Sequence, residues 1–116
     1  MSDLDKVSRP ADRAILEQLN QHGDDLSSVR HTLVFFLRAE DDERDGELVF
    51  NPLAERLVAA GWSIYTLHGD GVSGEAQRRV DPVGINRISE EMEALAAEFG
   101  VVYDGWECAI VPGADK

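Results

Sequence analysis

The sequence predicts an α+β sandwich of the ferredoxin-like kind: an antiparallel four-stranded sheet, βαββαβ in order, with helices on one face and an extra N-terminal helix. Two observations carry this expectation. After a leading helix, apolar periodicity switches between strand-like and helix-like segments in the order β-α-β-β-α-β. A chain of 116 residues that is 43% hydrophobic and 29% charged also has the length and balance of one globular core. The expected organisation is a flexible N-terminus over 1–9, one domain over 10–112 and a short tail over 113–116.

The leading helix is read from Pro10 to His22, with Ile15, Leu16 and Leu19 on one face and Gly23 where a left-handed cap belongs. Asp24, Asp25, Ser27 and Ser28 form a polar turn. Val29 to Arg38 then reads as a strand, and its centre, Leu33 to Leu37, is apolar on both faces. Residues 40–47 carry six acids and one arginine and read as a solvated connection. Asn51 as cap and Pro52 at the first helical position predict a helix start, with Leu53, Leu57 and Val58 as its buried stripe and Gly61 as its end. Trp62 to His68 is the second strand, Gly69 to Gly74 a glycine-rich hairpin connection, and Glu75 to Val80 a third strand stopped by Asp81-Pro82. Ile85, Ile88, Met92, Leu95, Ala96 and Phe99 share one helical face, with Glu90, Glu91, Glu93 and Glu98 outside it and Gly100 closing the helix. Val101 to Val111 follows as the fourth strand, broken at Asp104-Gly105.

Charge limits the partners. With 23 Asp and Glu against 11 Lys and Arg, the chain has a net charge of −12 and a pI near 4.4. Such a surface repels nucleic acid and anionic membranes, and it speeds encounter with a basic protein segment. Cys108 is the only cysteine, so an internal disulfide and a multi-cysteine zinc site are both excluded, and a reducing compartment is expected. The polar opening, Met1 to Lys6, lacks an apolar run of the signal-peptide kind, and no stretch approaches the ~20 apolar residues of a membrane span. The cytoplasm is the expected location.

Several motifs invite a chemical reading that their context does not support. Gly69-Asp70-Gly71-Val72-Ser73-Gly74 matches G-x-G-x-x-G, but Pro82 cuts short the segment where a phosphate-binding helix would have to begin, so the hairpin reading is preferred. Asp41, Glu43, Asp45 and Gly46 resemble the start of a calcium loop, yet its last ligand position is Pro52. His22 falls at a helix C-terminus, His31 on a strand face with Val29, Leu33 and Phe35, and His68 beside the glycine segment. Cys108 reads as a small core residue. No spacing joins a nucleophile to a histidine base, so no catalytic residue, metal ligand or cofactor is expected. In Tyr103-Asp104-Gly105-Trp106 the glycine suggests a bulge that re-aims its neighbours. The two aromatics either finish the core or form a patch on the sheet face that the helices leave open.

The run from Ile85 through Leu95-Ala96-Ala97-Glu98-Phe99 to Val102-Tyr103-Asp104-Gly105-Trp106, together with the leading helix and Ala59-Ala60-Gly61-Trp62, resembles the ribonuclease E inhibitor B family, the regulators of ribonuclease activity. The resemblance covers most of the chain, and Tyr-Asp-Gly-Trp is its specific part. It implies a ferredoxin-like sandwich and a non-enzymatic activity, in which the protein binds and inhibits the endoribonuclease of the RNA degradosome. It also implies a partner for the acidity, because that nuclease carries a basic, largely disordered scaffold region. The family looks to have a long, very acidic C-terminal tail, whereas here the acids concentrate in residues 40–47.

The expected partner-binding residues are therefore Glu40, Asp41, Asp42, Glu43, Asp45 and Glu47, with Tyr103, Asp104, Gly105 and Trp106 beside them. The expected partner is the basic region of an endoribonuclease or another RNA-decay protein. Two further readings compete: a small-ligand domain using His31 or His68 on the open sheet face, and a homodimer formed through that face.

Overall fold

The computed structural model describes residues 6–26 and 28–111. In chain order the elements are α1 (Pro10–Gln21), β1 (Val29–Leu37), α2 (Gly46–Ala59), β2 (Ser63–His68), β3 (Gly71–Arg79), α3 (Pro82–Phe99) and β4 (Val102–Cys108). The sheet order is β2-β3-β1-β4 and every neighbouring pair is antiparallel. This is the ferredoxin-like arrangement, with β1 and β3 as the central strands.

Alternation along β1 separates the two faces of the sheet. Arg30, Thr32, Val34 and Phe36 are buried on the helix side. There Val34 and Phe36 meet Phe50, Leu53 and Leu57 of α2 and Ile85, Ile88 and Met92 of α3 in one core. Val29, His31, Leu33, Phe35 and Leu37 point to the other side, which no helix of the described residues covers.

Val58, expected in the buried stripe of α2, is exposed, and two further local expectations need correction. First, α2 does not begin at Asn51-Pro52. Asp45 caps it, accepting the Glu47 N–H at 2.9 Å, so Gly46 and Glu47 belong to the helix and Pro52 lies inside it. Proline there removes one backbone bond, at a cost of about 3 kcal/mol. Burial of Val49 and Phe50, each contributing about 1.5–3 kcal/mol, offsets that loss. Second, the hairpin turn is only Gly69-Asp70. Gly71 to Gly74 are strand residues paired in turn with Leu37, Phe36, Phe35 and Val34 on β1, so the G-x-G-x-x-G match opens no helix.

The Asp104-Gly105 bulge is present. Phe36 pairs with Tyr103 and Phe35 with Gly105, leaving Asp104 as the extra residue, and Gly105 has φ +104°. In a regular strand, residues three apart face opposite sides. The inserted residue brings Tyr103 and Trp106 to the same side, where both are buried. The Tyr-Asp-Gly-Trp signature is thus a device for placing two large aromatics in one core, and the open face carries neither of them.

Trp106 also fixes the leading helix. Its indole N–H donates to Asp12 Oδ1 at 2.8 Å, and the Ser89 hydroxyl of α3 donates to Asp12 Oδ2. A carboxylate only 1% exposed thus joins α1, α3 and β4. The expected flexible stretch over 1–9 and tail over 113–116 lie outside the described residues at 1–5 and 113–116. Residues 6–8 are tied to α3: Asn86 donates to the Lys6 carbonyl at 2.8 Å and accepts from the Ser8 N–H at 2.9 Å, and Val7 between them is buried.

Replacing Asp12 with Ala leaves two buried donors without their acceptor and should cost about 2–4 kcal/mol in urea denaturation. Gly105→Ala, forced to a positive φ, should cost about 1–3 kcal/mol. Gly69→Ala, whose added carbon meets nothing within 4 Å, should stay within about 0.5 kcal/mol of the unchanged protein. Equal losses for the two glycine variants would contradict the account of the bulge.

Candidate partner-binding surface

The acidic segment is a braced structure. Arg38, just beyond β1, donates its N–H to the Asp70 carbonyl at 2.9 Å and its guanidinium to the Arg44 carbonyl. Gly46 lies so close to the β2–β3 turn that an added side-chain carbon would fall 2.0 Å from the Gly69 carbonyl oxygen. Arg44 reaches the end of α3, donating to the carbonyls of Phe99 at 3.1 Å and Gly100 at 3.0 Å. The 38–46 segment, the β2–β3 turn and the α3–β4 connection therefore meet at one end of the molecule.

This bracing divides the six expected acids by role. Asp42 is turned inward: it accepts from the Arg44 side chain at 2.6 Å and backbone N–H at 2.9 Å, and these bonds hold its carboxyl down at about 2. Asp45 is the cap of α2. Glu40, Asp41, Glu43 and Glu47 are exposed and face solvent. Asp70 on the neighbouring turn and Asp104 on the β4 bulge are exposed as well. Of the Tyr103–Trp106 group, Asp104 and the half-buried Gly105 reach the surface, while Tyr103 and Trp106 belong to the core. Burial and the neighbouring Asp12 charge push the Tyr103 hydroxyl up, against any role as an exposed acid or base.

The opposite end of the β1–β3 ladder gathers arginines. Arg78, Arg79 and Arg87 line a cavity of about 420 Å³ with Asp81, which pairs with Arg79 at 2.5 Å. Arg78 lies over the Trp62 ring, 4.6 Å from its centre. Arg30, in the core at this end, forms a buried pair with Asp24 at 2.5 Å. Burial pushes the Asp24 carboxyl up, but the Arg30 bond and the Val111 and Leu26 N–H groups outweigh it and leave the carboxyl below its ordinary value. No periodic pattern in the sequence signals this pair, because its partners come from a turn and a strand.

The histidines do not assemble a catalytic site. His31 is exposed on the open face and pairs with Glu75 at 2.8 Å. The depressions beside it, about 380 and 220 Å³, are lined by no tryptophan or tyrosine. The exposed His68 accepts the Asp70 N–H, and the exposed His22 ends α1. Cys108 is half-buried, and burial raises its thiol despite the nearby Arg30. Among the described residues no group of His, Cys, Asp and Glu is arranged to hold a metal ion, and no helix is long and apolar enough to cross a membrane.

The family described as Regulator of ribonuclease activity B matches residues 9–108. The chain belongs to that family. Membership makes it a regulator of ribonuclease activity that acts by protein interaction, with a ribonuclease as partner. The matched span runs from the start of α1 to the end of β4, so the leading helix is part of the family domain. No curated protein and no solved structure matches the chain.

The Asp24–Arg30 pair gives a pH prediction. A carboxyl lowered in the folded state contributes stability that is present above its unfolded value of about 3.9 and is lost as the pH falls through the folded value. Asp24→Asn, which leaves Arg30 buried without its closest counter-charge, should cost about 3 kcal/mol at pH 7. The difference between variant and unchanged protein in urea should shrink below about pH 4. A difference that stays constant between pH 7 and pH 3 would contradict the assignment.

Proposed function

We propose that this regulator restrains an endoribonuclease of the ribonuclease E type by binding its basic scaffold region in the cytoplasm, and that it catalyses nothing itself. The observation that carries the reading is the gathering of exposed carboxylates, Glu40, Asp41, Glu43 and Glu47 with Asp70, on a braced end of a protein of net charge −12. A fixed cluster of like charges attracts a flexible cationic chain over a Debye length of about 8–10 Å at ordinary salt. It also loses less entropy on binding than a floppy acidic loop would. Asp42 and Asp45 act indirectly, by holding the segment in shape.

The test compares the unchanged protein with the Glu40→Gln, Asp41→Asn, Glu43→Gln triple variant in binding to the isolated basic scaffold polypeptide. The three side chains are exposed, so the variant should melt within a few degrees of the parent. Its affinity should drop about tenfold at low salt, mainly through a slower on-rate, with a shallower dependence on salt. Absence of salt-sensitive binding by the unchanged protein would end this reading.

A further inference from the structure

The central strand β1 is apolar on the side that the helices leave open. Leu33, Phe35 and Leu37 occupy successive outward positions, and Val102 pairs with Leu37 on the adjoining strand β4. Leu37 and Val102 are 43% and 47% exposed, and Leu33 and Phe35 between the flanking strands are half-buried. Single exposed apolar residues are ordinary on a protein surface, but a contiguous row on a central strand is not. An antiparallel sheet with one wet face usually alternates apolar and polar residues, and a strand apolar on both faces is the pattern of one covered on both.

The row is bordered by acids. Glu107 pairs with Leu33 from β4, Glu75 pairs with it from β3, and Asp104 stands on the bulge beside Phe35. Beyond Leu37 the chain runs through Arg38 and Ala39 into Glu40 and Asp41. A second copy of this chain is a poor cover, because two molecules of net charge −12 would have to bring these carboxylates together. A basic segment with apolar side chains of its own suits both features. We propose that the open face of β1, β3 and β4 is the docking strip for such a segment. Its apolar side chains cover Leu33, Phe35, Leu37 and Val102, and its Lys and Arg side chains meet Glu75, Glu107 and the acidic end.

This inference rests on the reading that the partner is a basic protein region, and the experiment separates the two. The full chain, isotopically labelled, is titrated with the basic scaffold polypeptide while its backbone amide signals are followed, and Phe35→Ser is measured alongside. The expected result is that amides of Leu33, Phe35, Leu37 and Val102 shift together with those of residues 40–43. Phe35→Ser should weaken binding about tenfold while leaving its salt dependence unchanged, since it removes contact area and no charge. A urea midpoint for Phe35→Ser close to that of the parent confirms that the strand is intact. Shifts confined to residues 40–47, with Phe35→Ser binding normally, overturn the docking strip and leave the proposed function standing. No binding at all overturns both. A concentration-dependent doubling of mass that Phe35→Ser abolishes overturns the choice of occupant in favour of a second copy.

Discussion

A central strand that is apolar on both faces is the constraint from which the rest follows. β1 carries Val34 and Phe36 inward and Leu33, Phe35 and Leu37 outward, yet the two crossover helices of a βαββαβ chain cover only one side. The inward row is satisfied by α2 and α3, and α1 is added at the β4 side by the bond between Asp12 and Trp106. No helix of the described residues covers the outward row. On the proposed reading, the segment that covers it brings cations as well as apolar surface.

The acidic end and the open face belong to one design because β1 leads from one into the other. Arg38 and Arg44 fasten the segment after β1 to the β2–β3 turn and to the end of α3, and Asp42 and Asp45 are taken up in that work. The carboxylates left facing water are thereby held beside the Leu37 end of the apolar row. Arg78, Arg79 and Arg87 lie at the far end, so charge is polarised along the ladder. A basic segment approaching this field has one favoured end at which to land.

Much of the fold was legible because it is written in periodicity. The i, i+3, i+4 stripe from Ile85 to Phe99 is the buried face of α3 apart from the half-buried Phe99, and Gly23, Gly61 and Gly100 each have a positive φ just beyond a helix. The start of α2 was hidden by charge: six acids in eight residues resemble a solvated loop, although a capping Asp45 and a first-turn Glu47 are what a helix N-terminus favours. β3 was read short because Gly71 and Gly74 look like turn residues, whereas Gly71 is needed where an added carbon would come within 2.6 Å of the Phe36 carbonyl oxygen. The proposed partner surface was half legible. The acids and the two-faced β1 stood in the sequence, but the burial of Tyr103 and Trp106 depends on a one-residue bulge whose sense only the register reveals.

The most direct measurement of the central claim is the rate at which the ribonuclease cleaves a transcript, followed as this protein is added, with the intact enzyme and with the enzyme lacking its basic scaffold region. Contact through a cationic scaffold predicts that cleavage by the intact enzyme slows in a salt-sensitive way and that the shortened enzyme is unaffected. Equal slowing of both enzymes would contradict it.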